Sequence, residues 1–307
     1  MHLRGGVNQA LFNFIYTFHM PLFIFVSGMF THIKEREKYR RGIFRLLETY
    51  ILFQLILKVP NMLVSGDFST NNIISIISEP SFAMWYLLSL AFWRIIIFHI
   101  PHEHINSPIR LIITCILISL AGGFIPINGQ FSFQRTIALL PFFVMGYSAK
   151  NIEIMKYISK IPHSLAIGLL LSVFLVFYFV LNRNCGIAFI CRASYGVKPE
   201  LPLILHFFAR GVYLIVGTIT GIMVMRVVPT KSLLYRRGNI TLFIYIYHIF
   251  FIQALRYVYE KGYLPHNEWI FIAMCFIIVS LLILLSRIKL FTVLLNPISY
   301  YLKKTQT

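Results

Sequence analysis

The stretch ALFNFIYTFHMPLFIFVSGMF, residues 10–30, decides the fold class of this chain. It contains no Asp, Glu, Lys or Arg, and a helix needs about 20 mainly apolar residues to cross the hydrocarbon core of a bilayer. The apolar residues form an unbroken run, not the alternating pattern of a strand. The stretch is therefore predicted to be a membrane-spanning helix.

Further apolar stretches of this kind follow along the chain, and they predict an all-α, polytopic membrane bundle of about nine transmembrane helices. The nine stretches are residues 10–30, 43–63, 82–100, 109–127, 133–147, 165–181, 203–225, 240–258 and 269–286. The fifth is short and contains Pro141. The loops are short and no internal repeat is present, so residues 1–307 are predicted to form a single membrane-embedded domain.

The composition excludes other classes of protein. Of the 307 residues, 58% are hydrophobic and 12% are charged, whereas a soluble domain has about 45–50% and about 25%. A disordered chain would have low hydrophobicity, so disorder is excluded. A nucleic-acid-binding chain with a net charge of +18 would be mostly polar, so no nucleic-acid partner is predicted. Four cysteines indicate neither a disulfide framework nor a zinc ribbon, and no metal site is predicted.

The basic residues indicate how the spans are oriented. The densest basic run, residues 32–41, follows the first span. If this run is cytoplasmic, alternation of the spans places 19 of the 28 Lys and Arg residues on the same side and six on the other. This positive-inside pattern supports the span count and predicts a cytoplasmic C-terminus. The protein is expected in the cell membrane, that is, the plasma or inner membrane. The N-terminus is then outside, although residues 1–9 lack the apolar region of a signal peptide.

Five stretches, occurring in a fixed order, resemble a known family. They are FHMPLFIFVSG (18–28), RGIFRLLETY (41–50), MWYLL (84–88), FSFQRTIALLPFFVMGY (131–147) and RGNITLFIYIYH (237–248). Together they resemble the acyltransferase 3 family, and within it the fucose 4-O-acetylase-like branch. Thr49 departs from the pattern, because the family commonly has Pro before the Tyr at that point.

The resemblance implies a membrane acyltransferase of ten helices with both termini in the cytoplasm. The first of those helices carries an Arg and a His that is implicated in catalysis, and this sequence has no match for it. The chain is therefore predicted to lack the family's first helix, through a start placed too late or a true truncation. The orientation of the nine spans leads to the same expectation, because one more helix would return the N-terminus to the cytoplasm.

The reaction that the resemblance implies is transfer of an acetyl (acyl) group from acetyl-CoA to a sugar hydroxyl. The acceptor would be a cell-surface polysaccharide or a lipid-linked glycan intermediate. Acetyl-CoA is the donor substrate, and no permanently bound cofactor is predicted. Two alternatives stay open. One is a transporter of lipid-linked sugars or small solutes, which would usually show inverted repeats. The other is a catalytically inactive truncated relative.

The candidate site residues follow from this chemistry. A base must take the proton of the sugar hydroxyl, and imidazole titrates near working pH. The candidate catalytic residues are His19 and His248. Guanidinium groups bind phosphates through paired hydrogen bonds. The candidate acyl-CoA-binding residues are Arg41, Arg45, Arg135 and Arg237. The candidate supporting residues are Ser27, Gly28, Trp85, Asn239, Thr241 and Tyr245.

Several of these residues also have a purely structural interpretation. His19 could hydrogen-bond a neighbouring helix, and Ser27 and Gly28 could allow two helices to pack closely. Asn239 could cap a helix. Arg135 is different, because a permanently charged group inside a span requires an anion, a cage of carbonyls or water.

Two further pairs lie outside the motifs. His206 and Arg210 are four residues apart, so they share one helix face and are candidates for the acceptor side. Cys185 and Cys191 fall in a predicted outer loop, where a disulfide could form.

Overall fold

The structure is a computed structural model, and it describes residues 9–101, 107–127, 129–149, 154–179, 191–197, 202–228, 240–263, 267–295 and 297–298. Every regular element in these residues is helical. The α-helices are α1 (Gln9–Met29), α2 (Arg36–Ser65), α3 (Thr70–Ser78), α4 (Trp85–His99), α5 (Pro108–Gly122), α6 (Phe133–Ala149), α7 (Ile154–Ile158), α8 (His163–Phe179), α9 (Leu203–Val227), α10 (Thr241–Glu260), α11 (Glu268–Leu285) and α12 (Lys289–Val293). Two short 3₁₀ helices, Phe82–Met84 and Gln130–Ser132, precede α4 and α6.

Each of the nine predicted apolar stretches coincides with one of these helices. Among the described residues, four helical segments are long and apolar enough to cross a membrane: Ala10–Met29, Phe82–His99, Leu203–Val227 and Thr241–Glu260. Shorter apolar helices cover Pro108–Gly122, His163–Phe179 and Ile272–Leu285. The chain is therefore an all-helical, multi-pass membrane protein, and the count of nine spans stays a prediction.

The structure differs from the predicted helices at two places. The helix α2 begins at Arg36, one to two turns before the apolar stretch that starts at residue 43, because the intervening Glu, Lys and Arg residues are good helix formers. The helix α3 was not predicted at all. Its nine residues are too few to span a membrane, and their polar residues conceal the apolar pattern.

The described residues form two compact units, each with its own packing. One unit comprises residues 9–43 and 88–229 and is called here the α6 unit. The other comprises residues 44–87 and 230–307 and is called the α10 unit. In the α6 unit, α6 packs against α1 and α5, while α1 also packs against α8 and α9.

Two glycines allow α1 and α6 to touch. A Cβ atom on Gly28 would overlap the carbonyl oxygen of Phe143, and a Cβ atom on Gly146 would overlap that of Phe25. Any larger residue would push the two backbones apart, since neither carbonyl can move without disturbing its helix. Close packing of small residues is a general way of joining membrane helices, and Gly28 has this structural role.

In the α10 unit, three side chains on one face of α2 hold the end of α3. Tyr50, Gln54 and Lys58 are spaced four residues apart, so they form a ladder along the helix. Each donates hydrogen bonds of 2.6–3.0 Å to backbone carbonyl oxygens at the C-terminal end of α3. The acceptors are the carbonyl oxygens of Ser75, Ile76, Ile77 and Glu79. The ladder binds carbonyls in the last turn of α3, where helix carbonyls run out of backbone partners, and the Ser75 carbonyl also accepts from the backbone N–H of Glu79.

The segment after α12 is also held by α2. The Thr49 hydroxyl lies 2.8 Å from the carbonyl oxygen of Leu295, and the Glu48 carboxylate accepts a hydrogen bond of 2.6 Å from the backbone N–H of Ile298. The departure from the family pattern at Thr49 therefore supplies a polar contact that proline would lack.

Candidate functional site

A cleft of about 300 Å³ lies where α1 ends and α2 begins, and it is called here the basic cleft. The lining residues are Phe30, Thr31, His32, Lys34, Glu35, Lys38, Tyr39, Gly42 and Arg94. All of them belong to the α6 unit. Lys34, Lys38 and Arg94 supply three positive charges against the single carboxylate of Glu35, so the basic cleft favours an anionic ligand.

Tyr39 joins α2 to the end of α4 and so positions Arg94. Its O–H donates a hydrogen bond of 2.9 Å to the backbone carbonyl of Arg94, and its ring stacks on Phe98 with centroids 5.7 Å apart. Burial raises the pKa of the Tyr39 hydroxyl well above its ordinary value, so the group stays protonated and remains a donor.

Gly42 leaves room for the guanidinium group of Arg94. A Cβ atom built on Gly42 would lie 3.7 Å from the Nη1 atom of Arg94, so the two residues are close neighbours. Arg94 is half-buried, whereas Lys34 and Lys38 are exposed. A half-buried guanidinium interacts more strongly with an anion than an exposed ammonium does, because water screens it less. Arg94 is therefore the residue best placed to bind an anion in this cleft.

A second cluster in the α10 unit brings two of the sequence motifs together. The O–H of Tyr245 donates to the backbone carbonyl of Ala83, and the ring centroid of Tyr245 lies 5.2 Å from that of Tyr86. The ring of Trp85 lies 6.2 Å from Tyr86, and that of His248 lies 5.9 Å from Tyr245. Three predicted site residues, Trp85, Tyr245 and His248, thus share one aromatic cluster.

The local contact of His248 suits a general base. Its Nδ1 atom lies 3.2 Å from the carbonyl oxygen of Ile244, one helical turn earlier. When Nδ1 carries the hydrogen and donates it to that carbonyl, Nε2 keeps a lone pair that can accept a proton. The ring is half-buried, so it is only partly covered by its neighbours.

The predicted residues on α1 lie in different environments. His19 is exposed, while Ser27 is half-buried and its hydroxyl donates a hydrogen bond of 2.8 Å to the carbonyl oxygen of Phe23. Gly28 is buried at the contact with α6. His19 belongs to the α6 unit and His248 to the α10 unit.

The predicted arginines that the structure describes lie on two helices, α2 and α6. Arg41 and Arg45 are exposed residues of α2, and Thr241 is exposed at the start of α10. Arg237 and Asn239 lie outside the described residues. Arg135 lies in the first turn of α6, twelve residues before Tyr147, or about 18 Å along the helix axis. Tyr147 packs against Gly28, two residues before Phe30 of the cleft, so Arg135 is at the opposite end of α6 from the basic cleft.

Sequence reasoning missed the charged residues that line the cleft. The sequence places Lys34 and Lys38 in the basic run that predicts the topology, and Arg94 counts there only as one of the 19 cytoplasmic charges. A signal was present, because Arg94 lies inside the apolar stretch 82–100. Charged residues in such stretches are expensive and are often functional.

Comparison with known proteins identifies the family. A family model, Acyl_transf_3, described as an acyltransferase domain, matches residues 2–287 of this chain. No curated protein and no solved structure is significantly similar to it. The match covers the whole α6 unit, the α10 unit up to residue 287, and all five sequence motifs. The chain belongs to the acyltransferase 3 family and is a membrane acyltransferase.

Proposed function

We propose that the protein transfers an acetyl group from acetyl-CoA to a hydroxyl of a sugar, in a cell-surface polysaccharide or a lipid-linked glycan intermediate. The observation that carries the proposal is the basic cleft, with Lys34, Lys38 and Arg94 around about 300 Å³ of space. The fucose 4-O-acetylase-like resemblance of the motifs supports a sugar hydroxyl as acceptor.

The basic cleft suits the phosphate groups of acetyl-CoA. These groups are dianionic or polyanionic, and a site with two lysines and an arginine compensates their charge. The cleft follows the apolar part of α1, so a water-soluble donor can reach it without entering the bilayer. In the topology that the charges predict, this side is cytoplasmic, where acetyl-CoA is made.

The remaining predicted residues complete the proposal. His248 is assigned as general base for the sugar hydroxyl, because its Nδ1 atom lies within hydrogen-bonding distance of the Ile244 carbonyl and its ring lies in the aromatic cluster with Tyr245, and His19 is the second candidate. Arg41, Arg45, Arg135 and Arg237 keep their predicted assignment to the acyl donor, although Arg135 lies at the end of α6 opposite the basic cleft. In this reaction the hydroxyl oxygen forms a bond to the acetyl carbon and the thioester C–S bond breaks. The base takes the hydroxyl proton and passes it to the CoA thiolate.

The test is transfer by the purified full chain in detergent or nanodiscs, using labelled acetyl-CoA and candidate glycans. We expect labelled sugar ester, and Arg94→Gln and Lys38→Gln should each raise the KM for acetyl-CoA about tenfold, the cost of one charged hydrogen bond. Lys261→Gln, an exposed lysine outside the cleft, is the control and should leave the KM unchanged.

Two outcomes would contradict the proposal. Binding of acetyl-CoA without transfer to any sugar would identify an inactive relative. Uptake of lipid-linked sugar into vesicles that does not depend on acetyl-CoA would indicate transport instead.

A further inference from the structure

A second cavity, of about 290 Å³, lies in the α6 unit and is called here the apolar cavity. Residues of α1, α5, α6, α7 and α9 line it, and Ser148 and Thr218 are its only described lining residues with a polar side chain. The Thr218 hydroxyl donates a hydrogen bond of 2.7 Å to the carbonyl oxygen of Leu214. A cavity of this kind stays dry and takes up apolar molecules. Its volume is near the lower end of the range of about 300–1,000 Å³ for ligand sites.

The apolar cavity is a wedge between α5 and α9. Near one end the two helices are in contact, because a Cβ atom on Gly211 of α9 would lie 3.9 Å from the Cδ2 atom of Leu120 of α5. Toward the other end, Ile109 of α5 and Met225 of α9 line the cavity. The two helices therefore separate toward the start of α5 and the end of α9. Both helices are apolar, so within a membrane the gap between them is accessible to lipid chains.

Gly221 keeps the apolar cavity open. A Cβ atom on Gly221 would lie 3.8 Å from the Cβ atom of Leu22, an ordinary contact, and no other described atom would be as close. Gly217, one turn earlier, is different, because a Cβ atom there would lie 3.0 Å from the carbonyl oxygen of Thr17. Packing against α1 therefore explains the glycine at 217 but does not require one at 221. A longer side chain at 221 would occupy the cavity.

The wide end of the apolar cavity carries positive charge. Arg110 on α5 and Arg226 on α9 each directly follow a lining residue, and Arg110 is exposed while Arg226 is half-buried. Arg226 is held at the end of α9, since its Nε atom donates to the carbonyl oxygen of Ile161 and its Nη1 atom lies 2.7 Å from the Nε2 atom of His163. An anionic group at this end of the cavity would meet two guanidinium groups.

The acidic residues that the structure describes in the α6 unit lie elsewhere. They are Glu35 and Glu37, both at the beginning of α2. Glu103 and Glu153 are outside the described residues, so the charge at the wide end is tested by substitution below. In the predicted topology this end faces the cytoplasm, and the cytoplasmic leaflet is the one that carries anionic lipids. Basic residues beside an apolar gap between membrane helices match the two parts of such a lipid.

We propose that the apolar cavity binds one hydrocarbon chain of an anionic phospholipid of the cytoplasmic leaflet, and that Arg110 and Arg226 hold its phosphate group. This function goes beyond acetyl transfer. The apolar cavity and the basic cleft have no described lining residue in common, so the lipid does not compete with the acyl donor. The bound chain fills the wedge and so holds α5 and α9 at their present separation, because protein interiors are stable only when they are closely packed.

The experiment measures thermal unfolding of the purified full chain in a neutral detergent, by intrinsic fluorescence, while phosphatidylglycerol with two oleoyl chains is added. We expect a saturable rise of the unfolding midpoint. Phosphatidylcholine with the same chains should require about ten times more lipid for half-saturation, because its headgroup has no net charge. Phosphatidylglycerol with two six-carbon chains keeps the anionic headgroup and should not raise the midpoint at the same concentrations. That arm distinguishes a lipid site from a site for a phosphate group alone.

Two variants test the two parts of the site. Gly221→Leu places a side chain in the apolar cavity and should abolish the saturable rise, without lowering the midpoint measured in the absence of lipid. Gly168→Leu is its control, since a Cβ atom at 168 meets open space. Arg110→Gln should weaken half-saturation by phosphatidylglycerol about tenfold and leave that by phosphatidylcholine unchanged. Arg287→Gln is its control, because Arg287 is an exposed arginine of the α10 unit on the same predicted side.

Three outcomes would overturn the proposal. The first is equal half-saturation by phosphatidylglycerol and phosphatidylcholine, and the second is equal stabilisation of wild type and Gly221→Leu. The third is a long-chain isoprenoid phosphate that acts at a tenfold lower concentration than phosphatidylglycerol, which would assign the cavity to a lipid carrier of the glycan. If Gly221→Leu does not fold, Ile112→Phe narrows the cavity from α5 and must weaken half-saturation. No measurement requires acetyl-CoA or turnover, so failure of the proposed function leaves this result readable.

Discussion

His248 and His99 make the same local contact in different surroundings. In each, Nδ1 lies near the carbonyl oxygen four residues earlier, at 3.2 Å for His248 and 2.9 Å for His99. His248 is half-buried beside Tyr245, whereas His99 is exposed at the end of α4. The contact alone therefore does not make a base. Its position in the aromatic cluster distinguishes His248.

If His248 is the general base, His248→Asn should lower kcat for acetyl transfer by about 10²–10⁴-fold with little change in the KM for acetyl-CoA. The measurement is steady-state transfer to a glycan acceptor, with His99→Asn as control. His19→Asn tests the other candidate in the same assay. An unchanged kcat in His248→Asn would remove it from the catalytic step.

At the scale of the helices, a glycine can be required at one position and replaceable at another. Gly28 and Gly146 permit α1 and α6 to meet backbone to backbone, while Gly168 on α8 has open space where a Cβ atom would lie. A side chain at position 28 or 146 would clash with the backbone of the facing helix. A side chain at position 168 would meet no other atom.

Gly28→Ala should therefore destabilise the protein by about 1–3 kcal/mol, the usual range for overpacking a well-packed contact. Gly168→Ala should be neutral or slightly stabilising, since alanine is the better helix former. Thermal unfolding of the two variants in the same detergent checks this. Equal midpoints would mean that α1 and α6 are not held by this contact.

The helix α3 shows how side chains replace missing backbone partners. Tyr50, Gln54 and Lys58 bind its last carbonyls, so a polar residue within an apolar stretch of α2 has a structural use. This contact explains why Lys58, a charged residue, lies in a predicted span: its Nζ atom donates to both the carbonyl and the hydroxyl of Ser75. Such residues are therefore not automatically functional.

At the scale of the whole molecule, the charge distribution predicts which side each loop occupies. Lys261 follows α10 and Lys289 follows α11, and both are exposed. Because the helix α11 lies between them, the predicted topology places Lys261 outside and Lys289 in the cytoplasm.

Lys289→Cys should accordingly react with a membrane-impermeant thiol reagent only in inside-out vesicles, and Lys261→Cys only in right-side-out cells. The control is a parent chain in which Cys275, which is exposed, and Cys185, which is predicted in an outer loop, are replaced by Ser, while Cys115 and Cys191 are buried. Labelling of both positions from the same side would reject the predicted topology and, with it, the cytoplasmic assignment of the basic cleft.

Much of this architecture could be read from local patterns. Each apolar stretch became a helix, since a run such as residues 10–30 has no other way to satisfy its backbone in lipid. The motifs containing Trp85 and Tyr245 were predicted separately, and the fold joins them. The helix α3 was not predicted, because its nine residues are too few for a span and its polar residues conceal the apolar pattern. The missing first helix, the number of spans and the roles of the site residues stay predictions.

The sequence by itself determined the membrane class, the positions of the helices and the family, because apolar run length and ordered motifs are local properties of the chain. Only the tertiary structure decided which charges meet. Arg94 joins Lys34 and Lys38 across about sixty residues of sequence, and Arg210 reaches Ser119 across 91. Electrostatic interactions depend on distance in space and on burial. Neither quantity can be read from spacing along the chain once the partners lie on different helices.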